Sequence, residues 1–241
     1  MPLLFTDRAG GVSAGPFSSL NLGGATGDDP DAVAANRARL ARTVGVPVQY
    51  MRQVHGATVQ TVREVPVRDV PDLDAAPAAE GVGVPSECDA MVTALPGRAL
   101  AVLVADCVPV VFTSPVAVGV AHAGRAGLAA GVVPATVAAL GALGAAPEEV
   151  RVVVGPSVCG RCYEVPAAMR AEVAALVPGT ASVTRVGTPA LDLRAGVAAQ
   201  LRALGVTDVE VSERCTIEDP AFFSHRRDRG RTGRFAGVAW L

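Results

Sequence analysis

The stretch ALAVLVADCVPVVFTSPVAVGVAHAG, Ala99–Gly124, constrains the fold more than any other part of the chain. It is apolar almost throughout and reads as buried strand, interrupted at Asp106 and at the turn-forming pair Ser114-Pro115. It does not read as a membrane span, which needs about 20 consecutive apolar residues. Its most apolar part, Ala99–Phe112, is shorter than that and contains Asp106. The same stretch carries a thiol, Cys107, and one of only three histidines, His122. With Ser114-Pro115 at the centre of an antiparallel hairpin, Cys107 falls directly opposite His122, with Cβ atoms about 4.5–5.5 Å apart. Pro109 cannot donate to the ladder and marks a place where a bulge would shift that pairing.

A metal ion would bridge such a pair and needs a third ligand. His225 sits in an arginine cluster, a poor place for another cation, whereas His55 in QVHG lies between two expected strands beside a glycine that permits close approach. His55, Cys107 and His122 are therefore the best constellation, and three protein ligands leave a fourth position open, the pattern of catalytic zinc. Two other readings of the same residues stand beside it. One is a nucleophile–base pair of Cys107 and His122. The other is plain packing of a buried thiol and imidazole.

Composition narrows the classes. The chain has 241 residues, half of them hydrophobic but only 4% aromatic, so its core is built mainly of Val, Ala and Leu. A net charge of -2 argues against general binding to nucleic acid or membrane surfaces. All 21 basic residues are arginine, which excludes a P-loop lysine, a Schiff-base lysine and any Ser-Lys mechanism. The odd count of five cysteines does not suit a disulfide framework. The opening MPLLFTDRAGG lacks a basic region followed by a long apolar one, so no secretory leader is expected and a cytoplasmic setting is.

Along the chain, DDP at Asp28–Pro30 starts a helix, an Asp cap followed by Pro in the first turn, running to about Thr43. Short strands are expected over Val48–Val54, Thr58–Val62, Cys88–Ala94, Ala99–Val104, Val150–Val154 and Val209–Val211, and the closing RFAGVAWL is strand-like. Helices are expected over Leu128–Leu143, over Pro166–Leu176, and where Leu193, Val197, Leu201 and Leu204 share one face. The acid- and proline-rich run from Glu64 to Glu87 reads as a loop or excursion. The mixture lacks strict βαβ alternation, so the expected class is α+β, a single domain over 1–241 of mixed sheets flanked by helices.

GGVSAGPFSSLNLG, GDDPDAVAANR, QVHG, CDAMVT, ADCVPV, AHAG, GPSVCGRCYEV and FFSHRRDRGRTGRFAGVAWL stand in order over nearly the whole chain. Together they make it resemble the laccase-domain family, the polyphenol-oxidase-like or multicopper-oxidase-like purine nucleoside phosphorylases. The resemblance implies that His55, Cys107 and His122 bind zinc. It also implies phosphorolysis of adenosine, inosine, guanosine or methylthioadenosine, with adenosine deamination besides. Two further activities described for relatives are a copper-dependent phenol oxidation and a role, proposed in bacteria, on peptidoglycan precursors. Three histidines cannot supply a type 1 copper and a trinuclear cluster. A single His₂Cys copper with Met51 or Met91 as weak axial ligand is the form of copper site that remains.

Deamination would use a metal-activated water and a carboxylate to carry the proton, and Asp106, Asp89 and Glu164 are the candidates. Strict strand alternation sets Asp106 on the face opposite Cys107, which counts against it. Phosphorolysis requires an anion site. Arg226, Arg227 and Ser224 in SHRRDRGRTGR are the leading candidates, with Arg8, Ser13, Asn21 and Gln53 as further ones. The expected partners are a nucleoside and phosphate, bound by a monomer. The chain departs from the family where AHAG-Trp-Arg-Gly is usual, carrying Arg125 and Ala126 instead, and it has His225 where Tyr is common. A hydrolase with Cys107 as nucleophile and His122 as base, acting on peptidoglycan precursors, is the alternative, and a zinc-stabilised binding protein is a third. Cys88, Cys159, Cys162 and Cys215 are expected to pack.

Overall fold

The apolar runs become strands, and alternation within each strand decides which layer every side chain enters. The computed structural model describes residues 1–63 and 87–241, so the run from Glu64 expected to form a loop lies outside it apart from Glu87. The first half carries β1 (Leu3–Phe5), α1 (Pro30–Val44), β2 (Val48–Gln49), β3 (Val59–Thr61) and β4 (Ala90–Thr93). The apolar centre gives β5 (Ala99–Val104), β6 (Val108–Thr113) and β7 (Val118–Ala123). After it come α2 (Arg125–Ala129), α3 (Val132–Gly141), β8 (Arg151–Val154), α4 (Ala167–Leu176), β9 (Ala181–Val183) and β10 (Pro189–Leu191). The last elements are α5 (Leu193–Ala203), β11 (Asp208–Val211) and β12 (Phe235–Trp240).

The strands form a four-stranded sheet in the order β1-β12-β5-β2, a six-stranded sheet in the order β11-β8-β6-β7-β4-β3, and a separate β9–β10 hairpin. Both large sheets are mixed. β2 runs parallel to β5, β3 to β4 and β11 to β8, while the remaining neighbours are antiparallel. The class is α+β, as the sequence predicts.

Four layers result. Ala99 and Ala101 of β5, with Ala236 and Val238 of β12, pack against Leu40 and Val44 of α1. The alternate residues Leu100, Val102, Val104, Phe235 and Ala239 face Met91, Val111, Val118 and Val120 of the six-stranded sheet. The far side of that sheet, with Val110, Phe112 and Ala121, is covered by Leu128, Val133, Val137, Val197 and Leu201 of the later helices. His122 follows Val118 and Val120 in alternation on β7 and so points into the layer between the sheets.

The hairpin differs from the symmetric expectation. Thr113 pairs with Val118, and Pro109, not Cys107, lies opposite His122. The connection is the longer Ser114–Ala117, closed by the Ser114 hydroxyl accepting from Ala117 N at 3.0 Å. This moves the register by two residues, which preserves the face of every side chain. Cys107 therefore still meets His122, diagonally rather than squarely. The single helix expected over Leu128–Leu143 is two, broken where Gly131 takes φ 89°. The strand expected over Val48–Val54 is reduced to Val48–Gln49, and β1, β9 and β10 had no clear sequence signal.

Candidate metal centre

Three segments deliver side chains to one end of the layer between the sheets. β7 supplies His122, the turn between β5 and β6 supplies Cys107, and the loop between β2 and β3 supplies His55. Two non-glycine residues here have left-handed backbone, His55 at φ 63° and Asp106 at φ 88°. Such conformations are costly and persist where surrounding contacts fix them. Sγ of Cys107 lies 3.9 Å from Nε2 of His55. All three donor atoms fall within 4.8 Å of one another. The two imidazoles meet edge to face with centroids 4.6 Å apart.

Asp89 organises this arrangement. It is fully buried just before β4 and shares an inter-sheet face with Met91. Its carboxylate accepts from the backbone N–H groups of Val54 at 3.2 Å, His55 at 2.9 Å and Gly56 at 2.6 Å. It also meets Nδ1 of His122 at 2.8 Å. One side chain thus fixes the backbone that carries His55 and the ring orientation of His122, leaving Nε2 of His122 for the centre. Burial alone would raise the Asp89 pKa, but the bonds from His122 and Gly56 hold it below the usual carboxylate value.

The residues suit a metal ion. Zinc binds thiolate sulfur at about 2.3 Å and imidazole nitrogen at about 2.0–2.1 Å, so one ion spans the observed separations. Gly124 keeps the space clear. A Cβ there would lie 2.9 Å from Cδ2 of His55 and 3.2 Å from Sγ of Cys107. The thiol is also poised to ionise. Burial opposes ionisation of Cys107, yet the His122 charge and the hydrogen bonds from both histidines hold its pKa down to about 6. Burial likewise opposes protonation of His122, but Cys107 and Asp89 lift it to about 9. Each of the two groups thus favours the charged form of the other, and a metal ion would take the place of the His122 proton.

The other residues singled out in the sequence have different surroundings. Asp106 is buried and its two oxygens are taken by the Thr216 hydroxyl at 2.6 Å and the Arg226 N–H at 2.7 Å. It therefore ties the loop after β11 to the Cys107 turn. Gln53 spends its amide on both backbone groups of Leu103. Asn21 and Ser13 are buried, Asn21 holding Gly23 and Arg234 N, and Ser13 accepting from Asn36. Arg227 donates to the carbonyls of Thr216, Asp219 and Phe222 and to Asp228, and the buried Ser224 hydroxyl accepts from Arg227 N. Arg8 lies over the Phe223 ring and donates to the Ser18 carbonyl. Each of these side chains is engaged in holding the surrounding loops.

The Arg226 guanidinium lies 4.6 Å above the Tyr163 ring and donates to the Glu164 carbonyl at 2.7 Å, while the Glu164 side chain is exposed. Burial raises the Tyr163 pKa, and the charges that also act on its hydroxyl are those of Arg226, Cys107 and Arg125. Arg125 opens α2 directly after Gly124, whose backbone lies against His55 and Cys107, and so stands on the same rim. Arg234 stands there too, since Cys107 and Asp106 both act on its largely desolvated guanidinium. Tyr163 and Arg234 carry no local sequence signal of a role at this site. The signal for Arg234 is the register of β12, where Phe235 pairs with Val104 and so sets Arg234 beside the turn that holds Cys107.

The family model described as multi-copper polyphenol oxidoreductase laccase matches residues 2–241. The chain belongs to this family. A member in Streptomyces griseus, "Purine nucleoside phosphorylase ORF3", is 57% identical over 242 residues, covering 98% of this chain and 93% of the relative. "Purine nucleoside phosphorylase SCO2081" of Streptomyces coelicolor is 55% identical, covering 98% of this chain and 94% of its own. The crystal structure of YlmD from Geobacillus stearothermophilus has the same fold, with a TM-score of 0.86 at 36% identity over 99% of this chain and 91% of that one. In this member of the laccase family, no helix among the described residues is long and apolar enough to cross a membrane.

Proposed function

We propose that His55, Cys107 and His122 hold one zinc ion and that the chain is a purine nucleoside phosphorylase. Its substrates are adenosine, inosine, guanosine and methylthioadenosine, and it also deaminates adenosine at the same centre. The observation that carries this reading is the meeting of two imidazoles and a thiol, with Arg125 opening the adjoining helix, Arg234 set beside the Cys107 turn and Arg226 stacked on Tyr163. Two relatives more than half identical bear the name purine nucleoside phosphorylase, which supports it. The five reduced cysteines fit work in a reducing compartment such as the cytoplasm.

Zinc bound at this donor set supplies Lewis acidity. The chain supplies the rest. Asp89 fixes His122 and the His55 backbone. The arginines of the rim draw in phosphate and orient it by paired N–H donors, so that its charge faces the cationic character growing on the ribose as the glycosidic bond loosens. Tyr163, braced by Arg226, walls the site. For deamination, Asp89 and Asp106 are already engaged by donors, so the exposed Glu164 is the carboxylate left to carry a proton.

A second reading has its own observation. Cys107, His122 and Asp89 form a nucleophile–base–orienter series, the arrangement of a Cys/His hydrolase. That reading predicts a covalent adduct on Cys107 with an electrophilic peptidoglycan-precursor mimic.

Adenosine incubated with the purified protein and followed by mass spectrometry separates the readings. Phosphorolysis gives adenine and ribose 1-phosphate only when phosphate is present, and deamination gives inosine. Adenine released equally without phosphate, or full activity from protein stripped of metal, would overturn the proposal.

A further inference from the structure

A second donor cluster lies apart from the first. Sγ atoms of Cys159, Cys162 and Cys215 and a carboxylate oxygen of Glu218 all fall within 4.8 Å of one another. They come from two turns of the same build, Cys159-x-x-Cys162 and Cys215-x-x-Glu218. In the first, the N–H groups of Cys162 and Tyr163 both donate to the Cys159 carbonyl, at 2.9 and 3.0 Å. In the second, the N–H groups of Glu218 and Asp219 both donate to the Cys215 carbonyl, at 3.1 and 2.8 Å. A parallel bridge between Ser157 and Cys215 clamps the turns face to face. Each turn thus offers two donors spaced i, i+3, the spacing by which short chelating loops grip a metal.

The surroundings suit a charged thiolate centre. The Cys159 N–H points at Sγ of Cys215, 3.4 Å away. Cys159 and Cys215 are buried, and Glu218 reaches the cluster from the solvent side, where it is also paired with Arg185. Arg161, Arg194 and Arg202 line the adjoining hollow, together with the carboxylates Asp192 and Glu213. Three thiolates and a carboxylate around a divalent ion sum to a net charge of about -2, which the guanidinium groups offset in part. The Cys162 thiol donates to Glu218 Oε1 at 3.4 Å, a proton that a metal ion would replace; packing of three separate thiols, the sequence expectation, does not account for the paired turns.

We propose that Cys159, Cys162, Cys215 and Glu218 form a second, structural metal site for zinc. Three soft thiolates select zinc over magnesium or calcium, and four protein ligands close the shell. Zinc displaces the thiol protons and joins the CGRC turn to the loop after β11. That loop also holds Thr216, the donor to Asp106 beside Cys107. The site stands independently of the nucleoside reading above.

Elemental analysis of protein purified under reductant with zinc supplied is the test. Cys107→Ser empties the first centre and is expected to retain one zinc equivalent. The double variant Cys162→Ser, Cys215→Ser is expected to lose that equivalent while keeping the other. Cobalt loaded into Cys107→Ser gives the intense thiolate charge-transfer absorption of a tetrahedral, sulfur-rich site, and this readout stands even if the double variant fails to fold. Cys107→Ser protein that carries no metal and takes up no cobalt overturns the proposal. So does an intact mass showing a disulfide among these three cysteines in place of metal.

Discussion

Asp89 does the work that a sequence assigns most easily to a proton carrier. Its two oxygens accept from three consecutive backbone N–H groups and meet the His122 ring. A carboxylate so occupied positions ligands. Asp89→Asn keeps the size but loses acceptor capacity, and is expected to weaken metal binding at this centre about 10–100-fold. Competition with a chromophoric chelator measures it. Unchanged affinity would assign the ring orientation to some other contact. The neighbouring arginines of SHRRD divide in the same way. Arg226 faces the rim, whereas Arg227 is consumed by three carbonyls of its own loop. Arg226→Ala is therefore expected to raise the KM for phosphate with little loss of stability. Arg227→Ala is expected to cost about 3 kcal/mol in denaturant unfolding, since it strands buried acceptors. Adjacent identical residues cannot be told apart from sequence. The difference lies in which of them the Ser224 turn points inward.

At the scale of the element, the loop between β11 and β12 is held by carboxylates. Asp219 accepts from Ala221 N and pairs with Arg214, and these contacts outweigh burial to hold its pKa below the ordinary value. Burial would raise that of Asp228, but Arg227 and Thr232 outweigh it and lower the pKa as well. A carboxylate depressed in the folded state stabilises it above the unfolded pKa of about 3.9, and that contribution fades as pH falls from there through the lower folded value. Thermal unfolding scanned from pH 6 downward is expected to show this loss below about pH 4, and Asp228→Asn should flatten the acid limb. An unchanged limb would remove Asp228 from the account. Element identity was largely legible, because strands of Val and Ala and the capped start of α1 at Asp29 are local signals. Pairing was not. The extra loop residues at Ser114–Ala117 and the break at Gly131 depend on tertiary fit, which a window of sequence does not contain.

For the molecule as a whole, the same limit explains which site residues could be found. His55, Cys107 and His122 are rare residue types in conspicuous settings, so they can be proposed before any pairing is known. Arg234 and Tyr163 are ordinary residues that matter only because β12 and the CYEV turn are folded against β5 and the Cys107 turn. Close packing across the layers sets the tolerance for change. A Cβ on Gly155 would collide with the Phe5 ring, which also crowds Gly237. Gly155→Ala is therefore expected to lift β1 from its place and destabilise by about 1–3 kcal/mol, read as a lowered Tm.

β1 and β12 lie side by side, with Leu3 paired to Ala239 and the Trp240 N–H reaching the Pro2 carbonyl. Residues nearly the whole chain apart are thus bonded neighbours, and the order in which the strands are threaded is separable from the architecture. A short linker joining residue 241 to residue 1, with new ends opened in the β9–β10 turn where Val186 is exposed, should give a circular permutant that folds to the same layers and binds metal at the same centre.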